Sequence, residues 1–373
     1  IMNTFQKFIQ YYKPYKKVFI FDLICAAFIS LVDLAYPQIL RSLTKTLFLK
    51  DASTILKTLP VIGGILFICY VFQAFCKYYV SCQGHIMGAQ MERDMRRKLF
   101  DHYENLSFSY YDQHNTGQMM SRLVSDLFDI SEAAHHGPEN LFISLVKIVG
   151  SFIFLFIIQW KLAIILLVIV LLMIFFSAKQ NRRMQATFLD NRRKIGDINA
   201  SLQDSLSGIR IVQSFANEDI EREKFRLGNE AFLDSKRDNY HAMGSFQSGN
   251  TFFQGMMYLV TLLAGGYFIA LGQMSAADLA MYALYIGIFI SPIQILVELT
   301  EMIQKGMSGF IRYQAIIDIE PEITDCVDAV DMKHPDGDIC YHDVSFSYED
   351  NEIVLNNIDF TIKSGKSVAL VGP

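Results

Sequence analysis

The chain has 373 residues, 52% of them hydrophobic and 19% charged, and a formal net charge of −5. A mean hydropathy of +0.26 is too apolar for an ordinary soluble domain and makes a bilayer the natural solvent. Lys and Arg are not gathered into a tract interleaved with aromatics, which excludes nucleic acid as an expected partner.

The N-terminal stretch Thr4–Lys17 is amphipathic and basic rather than an apolar signal core, and it predicts an interfacial helix leading into the first span. Apolar runs long enough to cross about 30 Å of hydrocarbon follow at 18–40, 60–80, 141–159, 161–178, 251–271 and 279–297. Gln159-Trp160-Lys161 turns the third run into the fourth, and residues 272–278 turn the fifth into the sixth. Those are tight hairpins. Roughly 60 residues separate spans two and three and roughly 70 separate spans four and five, without the Pro/Gly character of a linker. Segments such as 91–100 and 191–200 are periodic in apolar and charged residues and predict amphipathic helices that extend the spans into water. At 1.5 Å per residue each excursion reaches on the order of 40 Å.

Lys and Arg are concentrated in the two long connections, from Arg93 to Arg122 and from Lys179 to Arg237, whereas the tight turns hold only Lys161. The bias places the long connections and both chain ends in the cytoplasm, against the weaker pull of Arg41, Lys45, Lys50 and Lys57 in the first outer loop. Cys25, Cys69, Cys76, Cys82, Cys326 and Cys340 form no CxxC pair and read as packing thiols. His114, His135 and His136 follow no metal-binding spacing, so no metal site is expected there. Polar residues inside spans are costly and default to function. Asp33 and Gln294, flanked by apolar residues near Pro37 and Pro292, are the candidate contacts of a substrate cavity, ahead of Gln73, Lys147 and Glu301.

Beyond a first domain at 1–320, the acidic stretch 321–337 reads as a linker whose carboxylates fit no EF-hand spacing. From 338 to 373 the period changes: 338–347 and 353–362 alternate and carry Val, Ile, Phe and Tyr, and 367–371 is a short apolar run, which predicts three strands. Ser364-Gly365-Lys366-Ser367 contains GKS, but the spacing puts Phe360 where a phosphate loop needs its first glycine, so Gly365 reads as a turn.

Six spans with two long polar excursions and a soluble end resemble the ATP-binding-cassette (ABC) exporter family. The likeness is carried by Leu106–Asp112 with Thr116-Gly117-Gln118, by Gly208–Phe215 with Glu218, Glu221 and Phe225, by the turn at 265–279, and by 312–323. The implied fold is mostly α, a polytopic membrane domain of six long helices followed by the first strands of an α/β P-loop ATPase domain. The resemblance implies short coupling helices near 111–117 and 215–221, with Tyr111, Asp112, Gly117, Phe215, Glu218 and Glu221 meeting the ATPase domains. Val344–Tyr348 resembles the family's aromatic loop, which makes Tyr348 the ring that stacks on adenine and Val354 a second base contact; Gly372 would be the first glycine of the phosphate loop. ATP and Mg²⁺ are the implied cofactors, although the residues that would hold Mg²⁺, and the catalytic ones, lie beyond Pro373, so the chain as it stands is not expected to hydrolyse ATP.

The implied function is ATP-driven export of a hydrophobic or amphipathic drug, lipid or peptide by a half-transporter in the cell membrane. Its partner would be a second copy or a homologue. The alternatives are a nucleotide-gated channel or receptor and a catalytically degenerate partner subunit.

Overall fold

The computed structural model describes residues 4–333, 336–347, 353–369 and 371. They form two compact units, Ile1–Glu320 and Pro321–Pro373. In the first, α1 (Thr4–Gln10) and a 3-10 turn at Lys13–Tyr15 lead into α2 (Lys16–Ser42). The next helix, α3 (Ala52–Tyr79), starts at Asp51, whose carboxylate accepts the Thr54 amide at 3.0 Å and so satisfies one of the orphan donors of the first turn. A π turn at Val80–Gly84 passes into α4 (His85–Glu104), followed by the short helices α5 (Phe108–Gln113) and α6 (Thr116–Ser121). A further π turn, Arg122–Asp126, opens α7 (Leu127–Ser207). Then come α8 (Ile209–Ser214), α9 (Glu218–Ala270) and α10 (Ala276–Ile317).

Five helical stretches are long and apolar enough to cross a membrane, where the sequence predicts six spans. The difference lies in α7, which is two helices joined at Gln159, where the backbone leaves helical geometry (φ −155°, ψ 95°). Asp129 and Arg192, both on α7, line one pocket with Lys305. A straight helix would hold them on the order of 90 Å apart. The chain therefore reverses at Gln159, and the two limbs of α7 provide the third and fourth crossings.

The last helix, α10, packs against both limbs. On the first limb Phe152 stacks near Phe289, with ring centroids 5.2 Å apart, and Asp126 takes two hydrogen bonds from Arg312 at 2.6 and 2.7 Å. On the second limb Asn181 donates to the Val297 carbonyl at 3.4 Å. Tyr282, Tyr285 and Phe289 are fully buried at the centre of this packing. Tyr282 directs its hydroxyl at the carbonyls of Leu155 and Gln159, 2.8 and 2.7 Å away. Backbone groups released by a kink in an apolar surround need such a partner. A second cluster joins Phe8 of α1 to Met91, Leu99 and Phe310, which docks the predicted N-terminal helix onto α4 and α10.

In the second unit, β1 (Ile339–Ser347) and β2 (Ile353–Ile362) pair antiparallel, with Tyr341 opposite Phe360 and their rings stacked at 4.5 Å. The predicted third strand at 367–371 does not form among the described residues. A strand exists only where another edge pairs with it, and β1 and β2 pair with each other. Gly365 adopts φ 72°, a conformation glycine reaches without strain, and the Lys366 amide closes the turn on the Lys363 carbonyl at 3.0 Å. The GKS string is thus a turn after β2.

Candidate functional site

The long connections are helical almost throughout, as their periodicity predicts, and each is interrupted by short helices. Leu106 and Ser107 break the first, and Asn115 caps α6 by accepting the Gly117 amide at 2.7 Å. Tyr111 donates its hydroxyl to the Tyr103 carbonyl at 2.5 Å, which pins α5 back onto the end of α4, and Asp112 is exposed. In the second connection Gly208 ends α7, and the short helix that follows is Ile209–Ser214, just ahead of the 215–221 stretch read from the sequence. Phe215 to Asn217 form the turn into α9, with Ala216 at φ 47°. Glu218 sits in the first turn of α9, where a carboxylate meets the positive end of the helix. Glu221 accepts the Ser205 hydroxyl and bolts α9 to the end of α7.

Large apolar side chains stand open at these breaks: Phe108 is 86% exposed, Phe215 73%, and Ile211 and Leu206 66% each. All four lie beside the glycine, serine and turn positions that interrupt the long helices, so the exposed surface and the breaks coincide.

A groove runs between the second limb of α7 and α10. One part, about 430 Å³, is walled by Ile174, Ala178, Ile293 and Val297, with Asn181 and Arg182 along it. Gln185 and Gln304 are shared with a further part of about 470 Å³ that carries Arg192, Lys305 and Arg312 beside Asp129 and Glu301. The groove is therefore apolar at one end and charged at the other, where Lys305 is paired with Glu301 and Arg312 with Asp126, each at 2.6 Å.

Asp33 and Gln294, the residues read as cavity contacts, stand on α2 and α10. Asp33 accepts from Gln73 of α3 at 2.8 Å and pairs with Lys147 of α7 at 2.6 Å, which neutralises two costly charges across three helices. Gln294 is half-buried on α10, next to Ile293 of the groove wall. Sequence reasoning singled out Asp33, Gln73 and Lys147 separately and missed that they are partners. It also missed Arg192 and Arg312 as groove residues, because nothing local says which face of a charged helix meets another helix.

Tyr348 and Gly372 lie outside the described residues. Val354 is 54% exposed on β2, an apolar side chain open to a flat ring.

The profile of the ABC transporter transmembrane region matches residues 19–293. The chain is 36% identical over 99% of its length to an uncharacterised ABC transporter ATP-binding protein, YwjA, of Bacillus subtilis (strain 168), and covers 64% of that protein. It is 24% identical over its full length to an ATP-dependent lipid A-core flippase of Syntrophus aciditrophicus (strain SB), covering 61% of it. A protein of the same name from Vibrio parahaemolyticus serotype O3:K6 (strain RIMD 2210633) is 25% identical over 99% of the chain, with 63% covered. The chain thus spans less than two thirds of these relatives.

Proposed function

Because the chain belongs to the ABC transporter family, with an exporter-type transmembrane region, we propose that it is the membrane half of a subunit that exports an amphipathic lipid-like substrate at the expense of ATP. The subunit works with a second copy or a homologue, and its termini and long helical extensions lie in the cytoplasm. The groove between α7 and α10 carries this reading. Its apolar walls at Ile174 and Ile293 suit a hydrocarbon chain, and the guanidinium groups of Arg182 and Arg192 suit an anionic head group. Two relatives named as lipid A-core flippases support a lipid over a peptide.

In this scheme the chain's own residues do two things. The groove residues bind and orient the substrate, chain first. The α4, α7 and α9 extensions transmit movement from the nucleotide-binding domain, since long helices are stiff and the packed contact of α7 with α10 shifts between discrete arrangements. The groove then opens to one side of the membrane or the other.

The test is reconstitution of the full-length protein into liposomes with fluorescent phosphatidylglycerol or phosphatidylcholine. ATP-dependent translocation should favour the anionic lipid, and Arg182→Gln combined with Arg192→Gln should lower it by about tenfold, the equivalent of about 1.4 kcal/mol. Translocation that proceeds equally without ATP would remove the pump. Indifference to head-group charge and to the double variant would remove the lipid reading.

A further inference from the structure

The return of the chain between α4 and the first limb of α7, by way of α5 and α6, brings together three histidines that are remote in sequence. His85 opens α4, and His135 and His136 lie on the first limb of α7. One ring nitrogen from each falls within 4.8 Å of the others. His85 Nδ1 and His135 Nε2 are 3.2 Å apart, and the three ring centroids are separated by 4.5 to 4.9 Å. Metal–nitrogen bonds of about 2.0–2.1 Å in a tetrahedral site put neighbouring donors about 3.3 Å apart. Glu139 Oε2 stands 3.6 Å from His135 Nε2 and is itself buried, a carboxylate beside the three-nitrogen cluster rather than a member of it.

We propose that His85, His135 and His136 form a binding site for a divalent transition-metal cation of the zinc class, which staples the start of α4 to α7.

A hydrogen bond between two neutral imidazoles accounts for the 3.2 Å approach but not for what surrounds it. His135 is 3% exposed and Asp22 1%, yet His135 Nδ1 and Asp22 Oδ1 are buried with no partner. Each such orphan costs on the order of 1–3 kcal/mol. Both atoms flank the same spot: a Cβ on Gly84 would stand 2.9 Å from His135 Nδ1 and 3.1 Å from Asp22 Oδ1. When Nε2 of a histidine binds a metal, its Nδ1 keeps a proton and donates it to a nearby carboxylate, and Asp22 is positioned for that second role. The charge around the site points the same way. Asp22, Glu139 and Glu132, which lies 3.7 Å from His136, outnumber the single ammonium of Lys77. His85 is exposed, which leaves a way in for the ion. Three imidazoles suit zinc, cobalt and nickel, and there is no thiolate in the set to favour softer ions.

The experiment uses the full-length protein in detergent, purified on a tag free of histidine, stripped with chelator and titrated with Co²⁺ and then Zn²⁺ without nucleotide. One equivalent of cobalt per chain should bind with the visible absorption of a four-coordinate nitrogen and oxygen site, and zinc should displace it. His85→Ala should weaken binding by at least about 100-fold, and Asp22→Asn by about 10- to 100-fold through loss of the supporting carboxylate. His85 is exposed, so its replacement leaves the packing intact; should His85→Ala not purify as a single species, His85→Gln carries the same comparison. Absence of a cobalt spectrum in the wild type, or binding by the His85 variants equal to wild type, overturns the site.

Discussion

At the scale of single residues, Asp278 shows how much one buried carboxylate can hold. It closes a capping box with Ser275 at the start of α10 and accepts from Arg41 and Lys45 at 2.6 Å each, which ties the end of α2 to the turn between α9 and α10. Arg41 and Lys45 are two of the cations that weaken the charge bias in the sequence, and their structural employment explains their position. Burial alone would raise the Asp278 carboxyl, but hydrogen bonds from Lys45, Ser275 and Arg41 outweigh it and hold the group down at about 2. An unfolded aspartate titrates near 3.9, so this contribution to stability is complete above about pH 4 and is lost as pH falls towards 2. Asp278→Asn should cost about 2 kcal/mol at neutral pH, less than a fully buried pair because both cations are partly exposed. Thermal unfolding in detergent at about pH 7 and about pH 3 checks this. The gap between wild type and variant should narrow in acid, and a gap that ignores pH refutes the account.

At the scale of elements, the prediction concerns how closely α7 and α10 approach. A Cβ on Gly306 would stand 2.2 Å from the Ala133 Cβ and 2.9 Å from the Asp129 carbonyl. Neither neighbour is the end of a flexible side chain, so the helices themselves would have to part. Gly306→Val should therefore destabilise by about 1–3 kcal/mol. Gly287→Ala meets nothing nearer than the Tyr258 hydroxyl at 3.9 Å and should be neutral or slightly stabilising in the same unfolding measurement. Equal effects from the two would show that this contact is not close-packed.

The elements themselves were legible in the sequence because apolar length and charge periodicity are local properties: the crossings, the reversal at Gln159 and the helical character of the long connections all follow from them. The strand expected at 367–371 does not appear among the described residues, because β structure needs a partner, which a sequence window does not contain. The site was legible only in part, for the same reason. Asp33 and Lys147 announce themselves as polar residues in apolar runs, but their pairing requires helix rotation. His85 lies fifty positions from His135, and no spacing rule could have joined it to the other two histidines.

At the scale of the whole protein, the breaks in the long helices matter most to the proposed function. An engine outside the membrane moves the groove only if it grips stiff extensions at a defined place, and the surfaces that offer a grip are Phe108 on α5 and Ile211 and Phe215 beside α8, all more than half exposed. Exposed aromatics at a helix break contribute little to the fold, whereas truncating a buried interface aromatic typically costs 2 kcal/mol or more. Phe108→Ala and Phe215→Ala should therefore each leave thermal stability within about 0.5 kcal/mol and leave ATP binding by the full-length protein intact. Transport in liposomes should nevertheless fall by at least about tenfold while ATP hydrolysis continues, so that the ratio of substrate moved to ATP consumed collapses. Loss of transport and hydrolysis in parallel would place these residues in the fold or the nucleotide site. Retention of both would mean that the engine grips the chain elsewhere.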